Sequence, residues 1–201
     1  MDNNITVMLM FGEGRMASSL PLGTTRPHLD GNGHFLRTKQ DLVWMPDMDD
    51  DFKKYVKELC LRFGWPKGPV TAVCLWNEPW EGMSISGWQA DMIRYREIYQ
   101  KMAEGVIDAR KENIDVLVGG GDSNPNALDK FFADGTMDIL PIFDFLSIHY
   151  QGMEAPVLYP EWNSRKEHKG RVKIWDTESW VGNTDDRIGL VVATNRSAGY
   201  D

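Results

Sequence analysis

Short apolar runs alternate with longer amphipathic segments along the chain. The runs predict buried strands, because a strand that is covered on both faces carries few polar positions. In the longer segments, apolar residues recur every three or four positions, which predicts helices with one buried face. The predicted strands are residues 5–11, 70–76, 115–118, 143–148 and 172–175, and the predicted helices are 51–63, 91–111 and 126–133. This alternation favours a parallel sheet and the α/β class.

Each of the two longer predicted helices carries one apolar stripe. The stripe of the first comprises Phe52, Tyr55, Val56, Leu59, Cys60 and Phe63, and that of the second comprises Met92, Tyr95, Tyr99, Met102 and Val106. Residues 12–50 are rich in Gly, Pro, Asp, Asn and Thr. This stretch is too long for an ordinary connection, so it is expected to be a functional loop or a set of short turns.

Composition narrows the function classes. The 201 residues suffice for one domain with a substantial core. A net charge of −8 argues against a nucleic-acid partner. No apolar run approaches the roughly 20 residues of a membrane span, so no membrane partner is expected. Cys60 and Cys74 fall in apolar patterns and are interpreted as core thiols. The four histidines lack paired metal-ligand spacing, and residues 119–121 lack the dinucleotide-binding glycine order, so neither metal nor cofactor is predicted.

Two glutamates carry the strongest chemical signal. Glu78 follows the apolar run at 70–76, and Glu178, 100 positions later, follows the run at 172–175. Both lie beside aromatic residues. Two carboxyl groups on separate strand ends are what a retaining glycosidase uses, one as acid/base and one as nucleophile, about 5–5.5 Å apart.

The spacing of the predicted strands favours a (β/α)₈ barrel. Such barrels average about 31 residues per unit, so three units span roughly the interval between the glutamates. Catalytic groups in these barrels come from the carboxyl ends of different strands, where Glu78, His149 and Glu178 are all expected. A doubly wound sheet is the competing α/β arrangement, but it gives no reason for strand-end carboxylates so far apart in sequence to converge.

Asn77-Glu78-Pro79 resembles a specific motif of the clan A glycoside hydrolases, a superfamily of retaining (β/α)₈ enzymes. In that superfamily the motif follows strand 4, and a second glutamate follows strand 7, as Glu178 does here. Residues 143–150 are similar to the strand 6 segment, and residues 12–18 to the strand 3 exit, of the members most like β-xylosidases and α-L-iduronidases. The resemblance covers nearly the whole chain.

The resemblance implies an oligosaccharide or glycoside substrate and a role for each matching residue. Glu78 would be the acid/base, Glu178 the nucleophile, and Asn77 the contact to the sugar 2-hydroxyl. Substrate-binding candidates among the aromatic and imidazole side chains are His149, Tyr150, Trp80 and Trp180. His149 would line the sugar pocket and Tyr150 would hydrogen-bond the nucleophile, although both could be core residues with satisfied polar tips. The two tryptophans suit stacking on a sugar face or packing of a loop.

On this numbering the predicted strands correspond to strands 3 to 7 of eight, a partial barrel. The chain is therefore expected to be part of a larger barrel, with the missing part as a possible partner, and to be poorly soluble and inactive by itself. Two other interpretations stay open: a carbohydrate-binding pseudoenzyme and an inactive barrel fragment. Activity on aryl glycosides would separate the first from an enzyme, and the number of strands would decide the second.

Overall fold

The computed structural model describes residues 5–12, 46–80, 88, 90–123, 142–149, 173–178, 189, 191–193 and 196–197. Within these residues the protein is an α/β structure with a parallel sheet of five strands. The strands are β1 (Val7–Phe11), β2 (Val70–Leu75), β3 (Leu117–Ser123), β4 (Phe145–His149) and β5 (Lys173–Glu178). The helices are α1 (Asp49–Phe63), preceded by a 3₁₀ turn at Pro46–Met48, and α2 (Met92–Arg110). The predicted α/β class and parallel sheet are confirmed.

The five strands lie in the sheet in the same order as in the chain. Every neighbouring pair is parallel, so all five carboxyl ends lie at one edge of the sheet. The sequence predicted the position of each strand, with boundaries displaced by up to five residues. The largest displacement concerns β3, which begins at Leu117 and continues to Ser123 rather than ending at Val118.

The glycines of β3 explain that displacement. A run of three glycines marked the expected end of the strand, because glycine lowers strand propensity. In the structure Gly119 pairs with Cys74 on one side and with Phe145 on the other. A Cβ at Gly119 would collide with the Phe145 ring, and one at Gly120 would lie 2.8 Å from the Tyr95 hydroxyl oxygen. The glycines therefore permit close packing within the strand instead of terminating it.

Both helices pack on one face of the sheet and form the main core there. Fully buried members of α2 include Tyr95, Tyr99, Met102 and Val106, as the stripe predicted. The α2 helix begins after Asp91, whose carboxylate accepts a hydrogen bond from the Arg94 backbone N–H at 2.9 Å.

The apolar stripe of α1 is narrower than predicted. Phe52, Val56 and Cys60 are buried, whereas Tyr55 and Phe63 are 55% and 53% exposed. The buried positions follow a spacing of four residues, the ridge that faces α2 and the sheet. The prediction that Tyr55 and Phe63 belong to the buried face was wrong, because both residues lie outside the ridge that Phe52, Val56 and Cys60 form.

A second, smaller apolar cluster lies on the opposite face of the sheet. It is formed by Ala72, Cys74 and Phe145, with Leu117 and Trp175 packed against it. Alternate residues of β2 therefore point to opposite faces, as the pleat requires. Burial of the two cysteines was predicted correctly, and it raises the pKa of the Cys60 thiol to about 11.

An ion pair ties the amino ends of β3 and β4 together, at the edge opposite to the strand carboxyl ends. The guanidinium of Arg110 contacts the Asp144 carboxylate and also donates to the Val116 carbonyl. Asp144 accepts a further hydrogen bond from the Val118 N–H at 2.7 Å.

Some predictions fall outside the described residues. They concern the short helix at 126–133, the segment at 12–18 that resembles a strand 3 exit, and most of the long stretch at 12–50. Within the described part of the chain, no helix is both long and apolar enough to cross a membrane.

Candidate active site

Four ionisable side chains gather at the carboxyl edge of the sheet. Asp122, His149 and Glu178 stand at or next to the last residues of β3, β4 and β5, and Glu78 follows the end of β2. Parallel strands bring residues far apart in sequence to one edge, and this is where α/β proteins bind ligands. The four side chains are called the edge cluster below.

His149 connects the two glutamates. Its Nδ1 atom lies 3.0 Å from Oε1 of Glu78 and 3.7 Å from Oε2 of Glu178. The two carboxylate oxygens are therefore separated by no more than the sum of these distances, about 6.7 Å. Two carboxyl groups 100 positions apart in sequence thus face the same small space.

The other imidazole nitrogen faces a third carboxylate. His149 Nε2 lies 3.4 Å from Oδ1 of Asp122. The side chains of His149 and Glu78 are 2% and 3% exposed, and that of Asp122 is fully buried. Because neutral imidazole carries only one N–H, donation to carboxylates on both sides requires the imidazolium form.

Hydroxyl groups hold Asp122 from the side of β4 and β5. The Ser147 hydroxyl donates to Oδ1 of Asp122, and its oxygen lies 2.6 Å from Oγ1 of Thr177. Thr177 Oγ1 is also 3.3 Å from the Ile148 carbonyl oxygen. Ser147 and His149 are two positions apart on β4 and therefore point to the same face. The carboxylate of Asp122 is thus hydrogen-bonded to a side chain of β4, which in turn contacts a side chain of β5.

The backbone at this edge takes up strained conformations. Positive φ angles occur at Trp76 (59°), Glu78 (46°) and Asp122 (39°), none of which is a glycine. Such residues cost on the order of 1–3 kcal/mol each and persist where the surrounding structure holds them. Glu78 and Asp122, which face the two sides of one imidazole ring, both carry this strain.

Aromatic side chains supply the hydrogen bonds that hold the strand ends. The Tyr95 hydroxyl donates to the Leu75 carbonyl at 3.1 Å and accepts from the Gly121 N–H at 3.2 Å, and so joins the ends of β2 and β3. The Trp80 indole N–H donates to the Asp122 carbonyl at 2.8 Å. Side chains of the main core therefore form hydrogen bonds with the strand ends that carry the edge cluster.

The electrostatics follow from burial and charge. Burial disfavours a charged His149, but its hydrogen bonds with Asp122 and Glu78 and the charge of Glu178 outweigh that effect and raise the pKa of His149 above its usual value. Burial raises the pKa of the Asp122 carboxyl, while hydrogen bonds from His149 and Ser147 oppose the rise. The direction for His149 favours an imidazolium, whereas the direction for Asp122 shows that its hydrogen bonds offset only part of the cost of burying its charge.

The structure brings together three of the site residues predicted from sequence: Glu78, His149 and Glu178. Asn77 is next to Glu78 in the chain, and its side chain is exposed. Trp80 is half-buried, packs against the main core and is anchored to Asp122. These contacts agree with loop packing and leave part of the indole accessible. The remaining predicted site residues, Tyr150 and Trp180, lie outside the described residues.

The position of His149 differs from the one that the sequence prediction implied. It was expected to line the sugar pocket, yet it is almost fully buried and both ring nitrogens face carboxylates. These contacts favour an action on Glu78 and Glu178 over direct contact with a substrate.

Sequence reasoning missed Asp122, Ser147 and Thr177. Asp122 was overlooked because β3 was expected to end before it, at Val118. A signal for Asp122 was available in the sequence. This acidic residue follows a strand and three glycines, much as Glu78 and Glu178 follow apolar strands. For Ser147, the signal was its two-residue spacing from His149 within one predicted strand.

Metal chemistry receives no support from the side chains whose positions are known. Among the described residues no group of three or more histidine, cysteine, aspartate or glutamate side chains is arranged to hold a metal ion.

Comparisons with protein-family models, with curated proteins and with solved structures find no match to this chain. The edge cluster and the motif resemblance are therefore the features of this chain that bear on its function.

Proposed function

We propose that this protein is a retaining glycoside hydrolase that cleaves a glycosidic bond by double displacement. The observation that carries the proposal is the convergence of Glu78 and Glu178 on one nitrogen of His149, at the carboxyl edge of a parallel sheet. An oligosaccharide or other glycoside is the substrate, and no metal or organic cofactor takes part.

The proposed fold is part of a (β/α)₈ barrel, with β1 to β5 as strands 3 to 7. Doubly wound sheets reverse their strand order at a switch point. The five described strands run in chain order without such a reversal, and both described helices pack on one face of the sheet. Successive strands added always on the same side, with helices outside, are the arrangement from which a barrel closes.

The distance between the two carboxyl groups supports retention of configuration. Retaining enzymes hold their carboxyl groups about 5–5.5 Å apart, and inverting enzymes about 6.5–9.5 Å apart to admit a water molecule. The two oxygens that face His149 Nδ1 are at most about 6.7 Å apart, the sum of 3.0 and 3.7 Å, a bound that accommodates the shorter separation of the retaining enzymes.

The environments of the two glutamates suit different roles. Glu178 has a side chain that is 46% exposed, so a sugar could approach its oxygens. Glu78 is 3% exposed and is fixed by His149 through one oxygen, which leaves the other oxygen to carry a proton. Glu178 is therefore the nucleophile and Glu78 the acid/base, in agreement with the roles that the motif resemblance implies.

The reaction then proceeds in two displacements. The carboxylate of Glu178 attacks the anomeric carbon while the carboxyl of Glu78 transfers its proton to the leaving oxygen. A glycosyl ester on Glu178 results. Glu78, now a carboxylate beside the His149 imidazolium, takes a proton from water as the water oxygen attacks the anomeric carbon. The bond from that carbon to Glu178 breaks, so that Glu178 is again a carboxylate and Glu78 again carries a proton. Asn77 holds the 2-hydroxyl, an interaction that strengthens in the oxocarbenium-like transition state.

The direct test measures turnover and stereochemistry in the native protein that carries this chain. Aryl glycosides of several sugars would be offered, and the first-formed product anomer would be followed by NMR. We expect hydrolysis with retention, abolished in Glu178→Gln. A first product of inverted configuration would refute the mechanism.

Binding of glycosides without turnover of any activated aryl glycoside would instead favour the carbohydrate-binding pseudoenzyme. A matched control is Asp144→Asn, which alters an ion pair at the opposite edge of the sheet and should leave turnover near the wild-type value.

A further inference from the structure

His149 lies in a line of three side chains that ends in a fully buried carboxylate. Oδ1 of Asp122 is 3.4 Å from His149 Nε2, and His149 Nδ1 is 3.0 Å from Oε1 of Glu78. Asp122 has no exposed surface of its own and so cannot contact a sugar. Any effect of the Asp122 carboxylate on the reaction must pass through a neighbouring side chain, and His149 is the neighbour that contacts Glu78.

The surroundings of Asp122 keep it in this position. Its carboxylate accepts from Ser147, its carbonyl accepts from the Trp80 indole at 2.8 Å, and its backbone holds a strained positive φ of 39°. Non-glycine residues with such strain cluster at functional sites, where the surrounding structure holds them. The contacts from β4 and from the residues after β2 aim Oδ1 at His149.

The positions of the protons on Asp122, His149 and Glu78 follow from these contacts. With Asp122 ionised, His149 keeps a proton on Nε2 toward Asp122 and a second on Nδ1 toward Glu78. Nδ1–H donates to Oε1 of Glu78, so the transferable proton of Glu78 belongs on its other oxygen. When that proton moves to the leaving group, the new carboxylate of Glu78 is already paired with a cation. No proton leaves His149 at any stage.

We propose that Asp122 is a positioning residue which, through His149, orients Glu78 and maintains a positive charge beside it during proton transfer. The inference rests on the proposed function, because it assigns to Glu78 the acid/base role. It adds a residue to which neither the sequence motif nor the resemblance gave a part. Among the described residues, the titratable groups that face His149 include Glu78, Asp122 and Glu178, and all three are carboxyl groups.

If Asp122 and His149 formed a purely structural ion pair, the expected results would be different. Replacement of a structural pair lowers stability and reduces activity equally for all substrates. Loss of the positioning residue instead changes the protonation of His149, and it impairs most the substrates whose leaving groups need a proton.

The first arm of the test reads His149 directly, without any assay of activity. Histidine-labelled native protein would be titrated by NMR, and the His149 signal assigned by its loss in His149→Gln. In the wild type we expect both ring nitrogens to be protonated at neutral pH. In Asp122→Asn, which preserves the shape of the side chain, the midpoint of the His149 titration should fall by about one pH unit or more. Asp144→Asn is the matched control and should leave the midpoint unchanged.

The second arm measures kcat/KM on two aryl glycosides of the same sugar. With a phenol that leaves poorly, Asp122→Asn should lose about 10²-fold, within the range of general acid catalysis. With a dinitrophenol, which needs little protonation, the loss should be less than about threefold. Equal losses on both substrates would overturn the proposal.

The two arms separate failure of this inference from failure of the proposed function. A native protein that hydrolyses no glycoside refutes the glycosidase, while the His149 titration still decides whether Asp122 holds the charge. A neutral His149 ring at pH 7 in the wild type overturns the inference by itself. If Asp122→Asn does not fold, that wild-type measurement and Ser147→Ala, which removes one hydrogen bond to Asp122, remain decisive. The Ser147→Ala variant should lower the His149 midpoint in the same direction by a smaller amount, and an unchanged midpoint would count against the inference.

Discussion

The ends of β2 and β5 each present a glutamate to the same imidazole, but in opposite surroundings. Glu78 follows an interior strand, is 3% exposed and has a strained backbone. Glu178 ends β5, which pairs only with β4 among the described strands, and its side chain is 46% exposed. The same residue type at two strand ends of one sheet is therefore buried in one place and half exposed in the other.

This difference matches a division of chemical work. A group that transfers a proton gains from a fixed orientation and a neighbouring charge, whereas a nucleophile must be reached by the substrate. The proposed mechanism gives the buried glutamate the first role and the exposed glutamate the second. Substitution of either glutamate should therefore have effects of different size and kind.

The largest effect is expected at the exposed glutamate. Glu178→Ala should lower turnover by at least about 10⁴-fold in the native protein, because no other group would form the glycosyl ester. Added azide should restore reaction and yield a glycosyl azide of inverted anomeric configuration, identified by NMR. An azide product of retained configuration would show that Glu78 is the nucleophile and Glu178 the acid/base.

A smaller and selective effect is expected at the buried glutamate. Glu78→Ala should lower kcat/KM by about 10²–10⁴-fold for substrates with poor leaving groups, since their departure depends on protonation. Substrates with dinitrophenyl leaving groups should form the glycosyl-enzyme at a nearly normal rate and accumulate it, seen as a burst of released phenol. The same loss for every leaving group would contradict the acid role of Glu78.

The contrast in burial also predicts a contrast in stability. Glu78→Gln puts an amide in place of a carboxyl group that is 3% exposed and hydrogen-bonded to His149, and should lower the free energy of unfolding by about 1–3 kcal/mol. Glu178→Gln should change it by less than about 0.5 kcal/mol, as surface substitutions usually do. Urea denaturation of the two variants beside the wild type would measure this, and similar losses would show that the exposed glutamate is held as firmly as the buried one.

The smallest effect concerns pH. The pKa of His149 is raised in the folded protein from a usual value of 6.5, so its ion pairs contribute their full stability below that pH and lose it as the pH rises through the folded-state value. The stability difference between wild type and His149→Gln should therefore be larger at about pH 6 than at about pH 9. Denaturation curves at the two pH values give the answer, and a difference that grows with pH would contradict the imidazolium assignment.

Local sequence patterns predicted most of the framework. Continuous apolar runs located the five strands of the described residues, because a strand buried on both faces has a nearly unbroken apolar sequence. The prediction that the run at 5–11 is a buried strand was wrong in part, since Met8 and Met10 of β1 are 37% and 42% exposed. The three- and four-residue repeats located α1 and α2. The two glutamates were found because each directly follows such a run.

The tertiary structure decided which polar side chains meet. Asp122 enters the edge cluster only because β3 continues through its glycines, and that depends on close packing of Phe145 and Tyr95 against Gly119 and Gly120. His149 became a bridge between carboxylates because β4 lies between β3 and β5. Tyr55 on α1 stayed exposed because it lies outside the buried ridge of that helix.

The sequence by itself therefore determined the type and position of the strands and helices and the identity of two strand-end carboxylates. These depend on the periodicity of apolar residues, which is local. Only the tertiary structure decided the burial of Glu78, the exposure of Glu178 and the line from Asp122 through His149. Those properties depend on which strands are neighbours and on packing between residues distant in the chain, and no local pattern encodes them.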